Sequence, residues 1–294
     1  MGAPFEWLTD AAASALLEAE FGIPDATLTR LDTERDDSFH VVTPEAEFSL
    51  KVAHPLDSPA LIDLQSAAVS HVAGLLPVQR VLKTVQGERV ARLLTWLPGT
   101  PVFDVLPDDR QVGLLGETLG RLNASLVTFE HPEARRVFPW DALRLPDLRT
   151  LGESPAFEWF EADVIPNLAE LPRQVIHNDF HLGNVLADPA TEGYVTGVLD
   201  FGDVVHSARI ADVAVAASYL ISPARLGWRG VELFLAGFER HVAVTDLERT
   251  VLPALVAARF AQRILINDWL RRDDPVHDST ANRAALADLL ERRS

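Results

Sequence analysis

The segment VIHNDFHLGNVLAD, residues 175–188, followed by GVLDFGDVV at 197–205, decides how the rest of the chain is read. Positions 177–184 alone hold two histidines, an aspartate and two asparagines. In a strand, alternation puts His177, Asp179 and His181 on one face, where a metal ion finds ligands. The same residues suit a loop for phosphoryl transfer, and they also suit a polar turn without chemistry. The segment leaves all three open, and the rest of the chain has to choose.

Composition narrows the field. A chain of 294 residues with 48% hydrophobic and 23% charged residues is long enough for one large domain or two modest ones, each with its own core. The formal net charge of −17 argues against nucleic-acid and anionic-membrane partners, which reward basic patches, and favours a small cationic ligand. The absence of cysteine excludes disulfides and thiolate metal sites. The start, MGAPFEWLTD, lacks a basic and an apolar targeting region, and Glu6 stands where a myristoylation signal needs Ser or Thr. No apolar run reaches the roughly 18 residues of a membrane span, so a cytoplasmic protein is expected. Lys51 and Lys83 are the only lysines among 26 basic residues, which makes each of them informative.

Along the chain, residues 10–20 have helical composition with Thr9 or Asp10 as cap. Residues 28–53 alternate apolar and polar around turn clusters at 34–37 and 43–45, which predicts three short antiparallel strands. The spacing in 60–76 predicts a helix, and 78–97 a hairpin turning at Gln86-Gly87. LPGTP, residues 97–101, is a break between lobes. Helices are expected over 107–127, 156–170, 208–221, 229–241, 247–271 and 279–292, with a β-rich island at 174–200. The expected fold is α+β: a small β-rich lobe, residues 1–96, then a larger mainly helical lobe, residues 97–294.

Phosphoryl transfer needs a group that orients the attacking hydroxyl, oxygen ligands for Mg²⁺, a cation on the phosphates and exclusion of water. Kinase-type sites supply these from a His-x-Asp loop, an Asn five residues after that Asp, and a strand-terminal Asp-Phe-Gly. Here Asn184 follows Asp179 by five residues, and Asp200-Phe201-Gly202 ends an expected strand. An intervening hairpin would bring Asp200 back beside Asn184. Lys51 ends the third expected strand, where a phosphate-binding lysine belongs.

These segments, with ERDDSFHV, LKVAHP and LIDLQSAAVSHVA upstream, resemble the aminoglycoside phosphotransferase/choline kinase family, which has a bilobal protein-kinase-like fold. Within it the likeness is to the hydroxylysine kinase-like branch, and it spans most of residues 28–221. The family pattern reads roughly His-Gly-Asp-Leu-His-x-x-Asn, then Ile-Asp-Phe-Gly-Asp. The resemblance implies that Asp179 orients the substrate hydroxyl, that Asn184 and Asp200 bind Mg²⁺, and that Lys51 holds the phosphates of ATP or GTP. It implies adenine contacts from the main chain at Thr95, Trp96 and Leu97. It makes His177 a brace and Asp212 a prop for the catalytic loop. His181 falls to loop support or substrate, and Asp203 to the acceptor's surroundings.

The chain departs from the family pattern in three places. Residues 31–42 contain no glycine, so the turn over the phosphates relies on Asp36, Asp37 and Ser38, with Ser38 and main-chain N–H groups nearest them. The helix that should supply the lysine's acidic partner offers Asp63 and Gln65. Asn178 replaces the usual Gly after the loop histidine. The reading that results is a small-molecule kinase acting on a hydroxyl of an amine, amino alcohol or aminoglycoside-like acceptor. A nucleotide-binding regulator without turnover is the alternative, with a metallohydrolase using His177, His181, Asp200, Asp203 and His206 behind it. Acceptor identity and oligomeric state are not legible in the sequence.

Overall fold

The computed structural model describes residues 6–33, 35–222, 224, 226–270 and 279–293. The first five residues, Glu34 of the first turn cluster and the last position of the helix expected over 247–271 lie outside them. The chain divides into two compact units, Met1–Pro98 and Gly99–Ser294.

The first unit opens with α1 (Asp10–Leu16), capped by Thr9, whose side chain accepts from the Ala12 N–H. A five-strand antiparallel sheet follows, from β1 (Thr27–Arg30), β2 (Asp37–Val42), β3 (Glu47–Val52), β4 (Val81–Val85) and β5 (Ala91–Thr95), in the order β1-β2-β3-β5-β4. The helix α2 (Pro59–Val72) connects β3 to β4, with Ser58 capping it and Pro59 at its first turn. Alternation sorts the sheet into two faces. Phe39, Val41, Leu50, Val52, Ala91 and Leu93 pack with Ala13 of α1 and with Leu17, just after it, into one core. The opposite face carries the polar side chains. Ser38 stands opposite Lys51 and Lys51 opposite Arg92, so the three form one row across β2, β3 and β5.

This corrects the expected turn over 31–42. Asp37 and Ser38 belong to β2, and neither is exposed. Two consecutive aspartates read as turn residues because a lone carboxylate is costly to bury. Arg30 and Arg89 remove that cost by pairing with the two oxygens of Asp37, each at 2.7 Å.

The second unit contains β6 (Thr100–Pro101), α3 (Asp109–Leu126), α4 (Ala156–Asp163), β7 (Arg173–Ile176), β8 (Val185–Ala187), β9 (Val195–Val198), β10 (Val205–Ala208), α5 (Ile210–Ile221), α6 (Gly227–Phe238), α7 (Asp246–Leu270) and α8 (Ser279–Glu291). β7 pairs with β10, and β8 lies between β6 and β9. The island expected at 174–200 is therefore present, and β10 adds a strand where helix was expected to begin. The helix expected over 156–170 stops at Asp163, just before Pro166, whose ring cannot continue it. A 3-10 stretch, Ala142–Leu151, with Pro146 inside it, was not foreseen. At the α3–α6 crossing a Cβ on Gly116 would collide with the Phe234 carbonyl oxygen, which is why this helix tolerates glycine there. No helix among the described residues is long and apolar enough to cross a membrane. α7 is buried along most of its length within this unit, where it contacts α4, α5 and α8.

Candidate active site

The loop between β7 and β8 is held from below by one carboxylate. Asp212, in the first turn of α5 and fully buried, accepts from the His177 N–H at 3.1 Å, the Asn178 N–H at 2.5 Å and Asn123 Nδ2 at 2.8 Å. Burial raises its pKa to about 6, against the pull of those three donors. Asn178 is forced to a φ of 65°, a left-handed conformation that Gly adopts freely and that Asn tolerates better than most residues. The departure from the usual Gly therefore keeps the backbone shape.

His177 is fully buried and has both ring nitrogens engaged. Nδ1 accepts from the Asp179 N–H at 3.2 Å, and Nε2 donates to the Leu199 carbonyl at 3.0 Å. Burial lowers its pKa to about 4, so the ring is neutral at pH 7. Phe201 meets its face edge-on, with centroids 4.7 Å apart. The ring thus ties the His-x-Asp loop to the Asp-Phe-Gly segment and has no lone pair left for a metal.

Asp179 projects from this brace, half-buried. Asn184 Nδ2 donates to its Oδ2 at 2.7 Å and to its main-chain oxygen at 3.1 Å. Arg259 Nη2, from α7, lies 3.3 Å from Oδ1. His181 Nε2 lies 3.5 Å from Oδ2, while its Nδ1 accepts from the Gly183 N–H at 2.9 Å. Burial first, then Arg259 and Arg263, lower the His181 pKa to about 3, which leaves it neutral. Its ring stacks on Tyr219 at 4.6 Å.

The β8–β9 pairing brings the third member back. Val185 faces Val198, and the Leu199 N–H donates to the Asn184 carbonyl at 2.8 Å, so Asp200 emerges next to Asn184. Asp200 is exposed and left-handed at φ 56°, with Oδ1 accepting from the Gly202 N–H at 3.0 Å. Asp203 lies half-buried in the following turn, which Arg136 clamps by donating to the carbonyls of Gly202 and Val204 at 2.7 and 3.2 Å. The structure therefore gathers Asp179, His181, Asn184 and Asp200 above a platform of His177 and Asp212.

In the first unit, Lys51 Nζ has no hydrogen-bond or ion-pair partner among the described residues. Gln65 is spent on Arg92, which reaches its Oε1 at 2.8 Å and lies 3.8 Å from Asp36. Asp63 is exposed on α2 and does not pair with Lys51. The Ser38 hydroxyl is sealed within the sheet without a hydrogen bond. Thr95 uses its N–H on Arg80 and its carbonyl on Gln79, and Trp96 gives its N–H to Glu47 and stacks on His40 at 3.7 Å. Of the three residues expected to offer main-chain groups to adenine, Leu97 alone has no hydrogen bond among the described residues.

Sequence reasoning missed the arginines of α7. It placed acidic groups around the acceptor because net charge is negative, but net charge is a sum that does not locate charge. The side chains that α7 contributes near Asp179 are Arg259 and, one turn on, Arg263, 2% and 7% exposed. The signal was legible: Arg259, Gln262, Arg263 and Asn267 recur at helical spacing in an otherwise apolar helix.

The donor set near Asn184 and Asp200 fits a hard cation. Because Nδ2 of Asn184 is committed to Asp179, its Oδ1 turns away as an acceptor without a partner. Asp200 adds a carboxylate, and Mg²⁺ uses one or two such oxygens together with phosphates and water. A zinc site would need several nitrogen or sulfur ligands, but both His177 nitrogens are spent, and no three His, Cys, Asp or Glu side chains gather for a metal among the described residues.

Comparison with known proteins agrees with this geometry. The model of the phosphotransferase enzyme family matches residues 27–251. Hydroxylysine kinase of Mus musculus is 27% identical over 309 aligned positions, covering 88% of this chain and 81% of that protein. Its counterpart in Bos taurus is 26% identical with the same coverage. Among solved structures, a microcompartment-associated aminopropanol kinase superposes with a TM-score of 0.72 at 18% identity, covering 96% of each chain. Amicoumacin kinase in complex with AMP-PNP, Ca²⁺ and Ami superposes with a TM-score of 0.70 at 16% identity, over 90% of this chain and 87% of that one. The fold is protein-kinase-like, and this chain belongs to the phosphotransferase enzyme family, as a small-molecule phosphotransferase that acts on hydroxyl groups.

Proposed function

We propose that this chain transfers the γ-phosphate of ATP to the hydroxyl of a small acceptor that also carries an amine. The observation that carries the reading is the convergence of Asp179, Asn184 and Asp200 on one braced loop. Asp179 is the group we assign to the acceptor hydroxyl: it takes up or orients the proton as oxygen attacks phosphorus. Its carboxylate is fixed for that task by Asn184 Nδ2 and Arg259 Nη2, so little reorganisation is needed in the transition state. Asn184 and Asp200 would hold Mg²⁺, which when bound neutralises charge on the transferring phosphoryl group. Lys51, with no counter-ion of its own, is the cation we assign to the nucleotide phosphates, and Leu97 the main-chain contact for the base.

His177 and Asp212 act through the loop and touch neither substrate. His181, neutral and stacked on Tyr219, holds the loop by its Nδ1 and faces Asp179 by its Nε2. ATP as donor is supported by the AMP-PNP bound to the amicoumacin kinase, and an amine-bearing acceptor by the names of the hydroxylysine and aminopropanol kinases.

A screen of amino alcohols, hydroxy amino acids and aminoglycosides, read by ADP release, tests the reading. At least one acceptor should be phosphorylated, and Asp179→Asn should cut kcat by about 10³-fold while Mg·ATP affinity stays within about threefold, since a positioned general base contributes about 10²–10⁴. Mg·ATP binding without transfer to any acceptor would favour the regulator instead. The unpartnered Lys51, which lacks the acidic mate expected on α2, is what keeps that second reading in view.

A further inference from the structure

α7 delivers to the site more positive charge than the reaction above uses. Gln262 is absorbed by the fold, its Nε2 donating to the carbonyls of Pro139 and Asp141 at 2.8 and 2.7 Å. Arg259 is half absorbed: it donates to the Trp140 carbonyl at 2.9 Å, lies over that ring, and touches Asp179. Arg263 is different. Its guanidinium lies 4.1 Å over the Tyr219 ring and gives one hydrogen bond, from Nη1 to the Ser222 carbonyl at 3.1 Å. Nε and Nη2 have no protein partner among the described residues and are not sealed from solvent. No carboxylate pairs with it among the described residues.

A guanidinium that is 7% exposed and lacks a counter-charge is costly, because desolvation of one ion is worth several kcal/mol. A second cation one turn away raises the cost, since residues four apart on a helix stand about 6 Å from each other. Among the described residues Asp179 is the one carboxylate in contact with the pair, and it touches Arg259. Burying such a pair is sensible where an anion arrives to complete it.

Its position says where that anion belongs. The Tyr219 ring that carries Arg263 also stacks on His181, and His181 Nε2 is 3.5 Å from Asp179 Oδ2. Arg263 therefore stands one helical turn along α7 from Arg259, which touches the group assigned to the acceptor hydroxyl, and reaches the same group through Tyr219 and His181. A guanidinium fork is matched to the two oxygens of a carboxylate.

We propose that Arg263, with Arg259 beside it, holds a carboxylate of the acceptor, so that the substrate class is hydroxy amino acids rather than carboxylate-free amino alcohols. The proposal rests on the kinase reading above and adds the acceptor's second recognition group. It also reconciles an amine-bearing acceptor with cationic surroundings, because a zwitterion presents one charge to each.

Matched pairs that differ by the carboxylate test it: threonine with 1-amino-2-propanol, homoserine with 3-amino-1-propanol, and 5-hydroxylysine with 1,5-diamino-2-pentanol. Each is assayed for kcat/KM and, separately, for binding by calorimetry, in the wild type, Arg263→Gln and Arg263→Lys. In at least one pair the wild type should prefer the amino acid by about 10²-fold, the range of a charge-assisted hydrogen-bond pair. Arg263→Gln should erase that preference, lowering the amino acid about 10²-fold and leaving the amino alcohol within about threefold. Arg263→Lys, which retains charge but loses the fork, should fall between and serves if the Gln variant does not fold.

Turnover with no carboxylate preference, or equal losses for both members of a pair, overturns the subsite and leaves the kinase reading standing. Amino-acid binding that depends on Arg263 without any transfer supports the subsite and overturns the kinase reading. An Arg263→Gln variant whose main change is weaker Mg·ATP binding assigns the arginine to a phosphate and overturns the proposal. Failure of every acceptor both to bind and to react overturns both.

Discussion

The loop at 177–184, between β7 and β8, and the row Ser38–Lys51–Arg92 on the first sheet are both polar clusters, and they are built on opposite plans. In the loop the groups that hold the chain are paired: Asp212 takes three N–H donors, His177 uses both nitrogens, and Asn184 locks Asp179, while the Asn178 amide and Asn184 Oδ1 are left without a partner among the described residues. In the row, Lys51 has no partner among the described residues and the Ser38 hydroxyl is sealed without one, while Gln65 serves Arg92 instead of the lysine. The frame of the first cluster is complete without ligand. The second has an unspent cation. A site preorganised for chemistry and a site that waits for charge differ in this way.

That contrast can be broken by experiment, and Asp212 gives the largest effect. Asp212→Ala strands three buried donors at once, each worth about 1–3 kcal/mol when unsatisfied, so urea denaturation should show a loss of about 3 kcal/mol or more. A loss below about 1 kcal/mol would mean that the loop is not held from below as described. Lys51→Met should leave stability within about 0.5 kcal/mol, as for an unpartnered side chain, and should raise the KM for ATP by about tenfold to a hundredfold, the worth of a charge-assisted contact. A stability loss equal to that of Asp212→Ala would erase the distinction between the two clusters. Asn178→Gly gives the smallest change: the left-handed backbone accepts Gly, and the Asn amide is buried with no hydrogen bond, so the variant should be within about 1 kcal/mol of the wild type and retain activity. Thermal melts and kcat together check this.

The two regions also differ in how far they could be read in advance. The 179-to-184 spacing and the return at 200 follow from one loop and one hairpin, so short-range backbone geometry carries them. The strands around Lys51 were equally visible in alternation, though not their order in the sheet. The partners were not. Asp36-Asp37 read as a turn because Arg89, fifty-two residues on, cannot be recognised in sequence as the counter-ion of Asp37. Gln65 was weighed as a partner of Lys51, whereas the side chain it meets, Arg92, lies on the next strand over. Arg259 and Arg263 follow Asp179 by eighty residues or more, and a long helix crossing alone brings them back. What escaped in each case was a polar neighbour brought in by tertiary contact, the part of a fold that no local pattern encodes.

The central claim is that Asn184 and Asp200 meet a metal-bound triphosphate on the loop that carries Asp179. Titration calorimetry of ATP into wild type and Asp200→Ala, each with Mg²⁺ and with EDTA, tests it most directly. The account predicts binding by the wild type that depends on Mg²⁺ and weakens at least tenfold in Asp200→Ala, about 1.4 kcal/mol. Equal affinity in EDTA, or an Asp200→Ala variant that binds Mg·ATP as the wild type does, would contradict it.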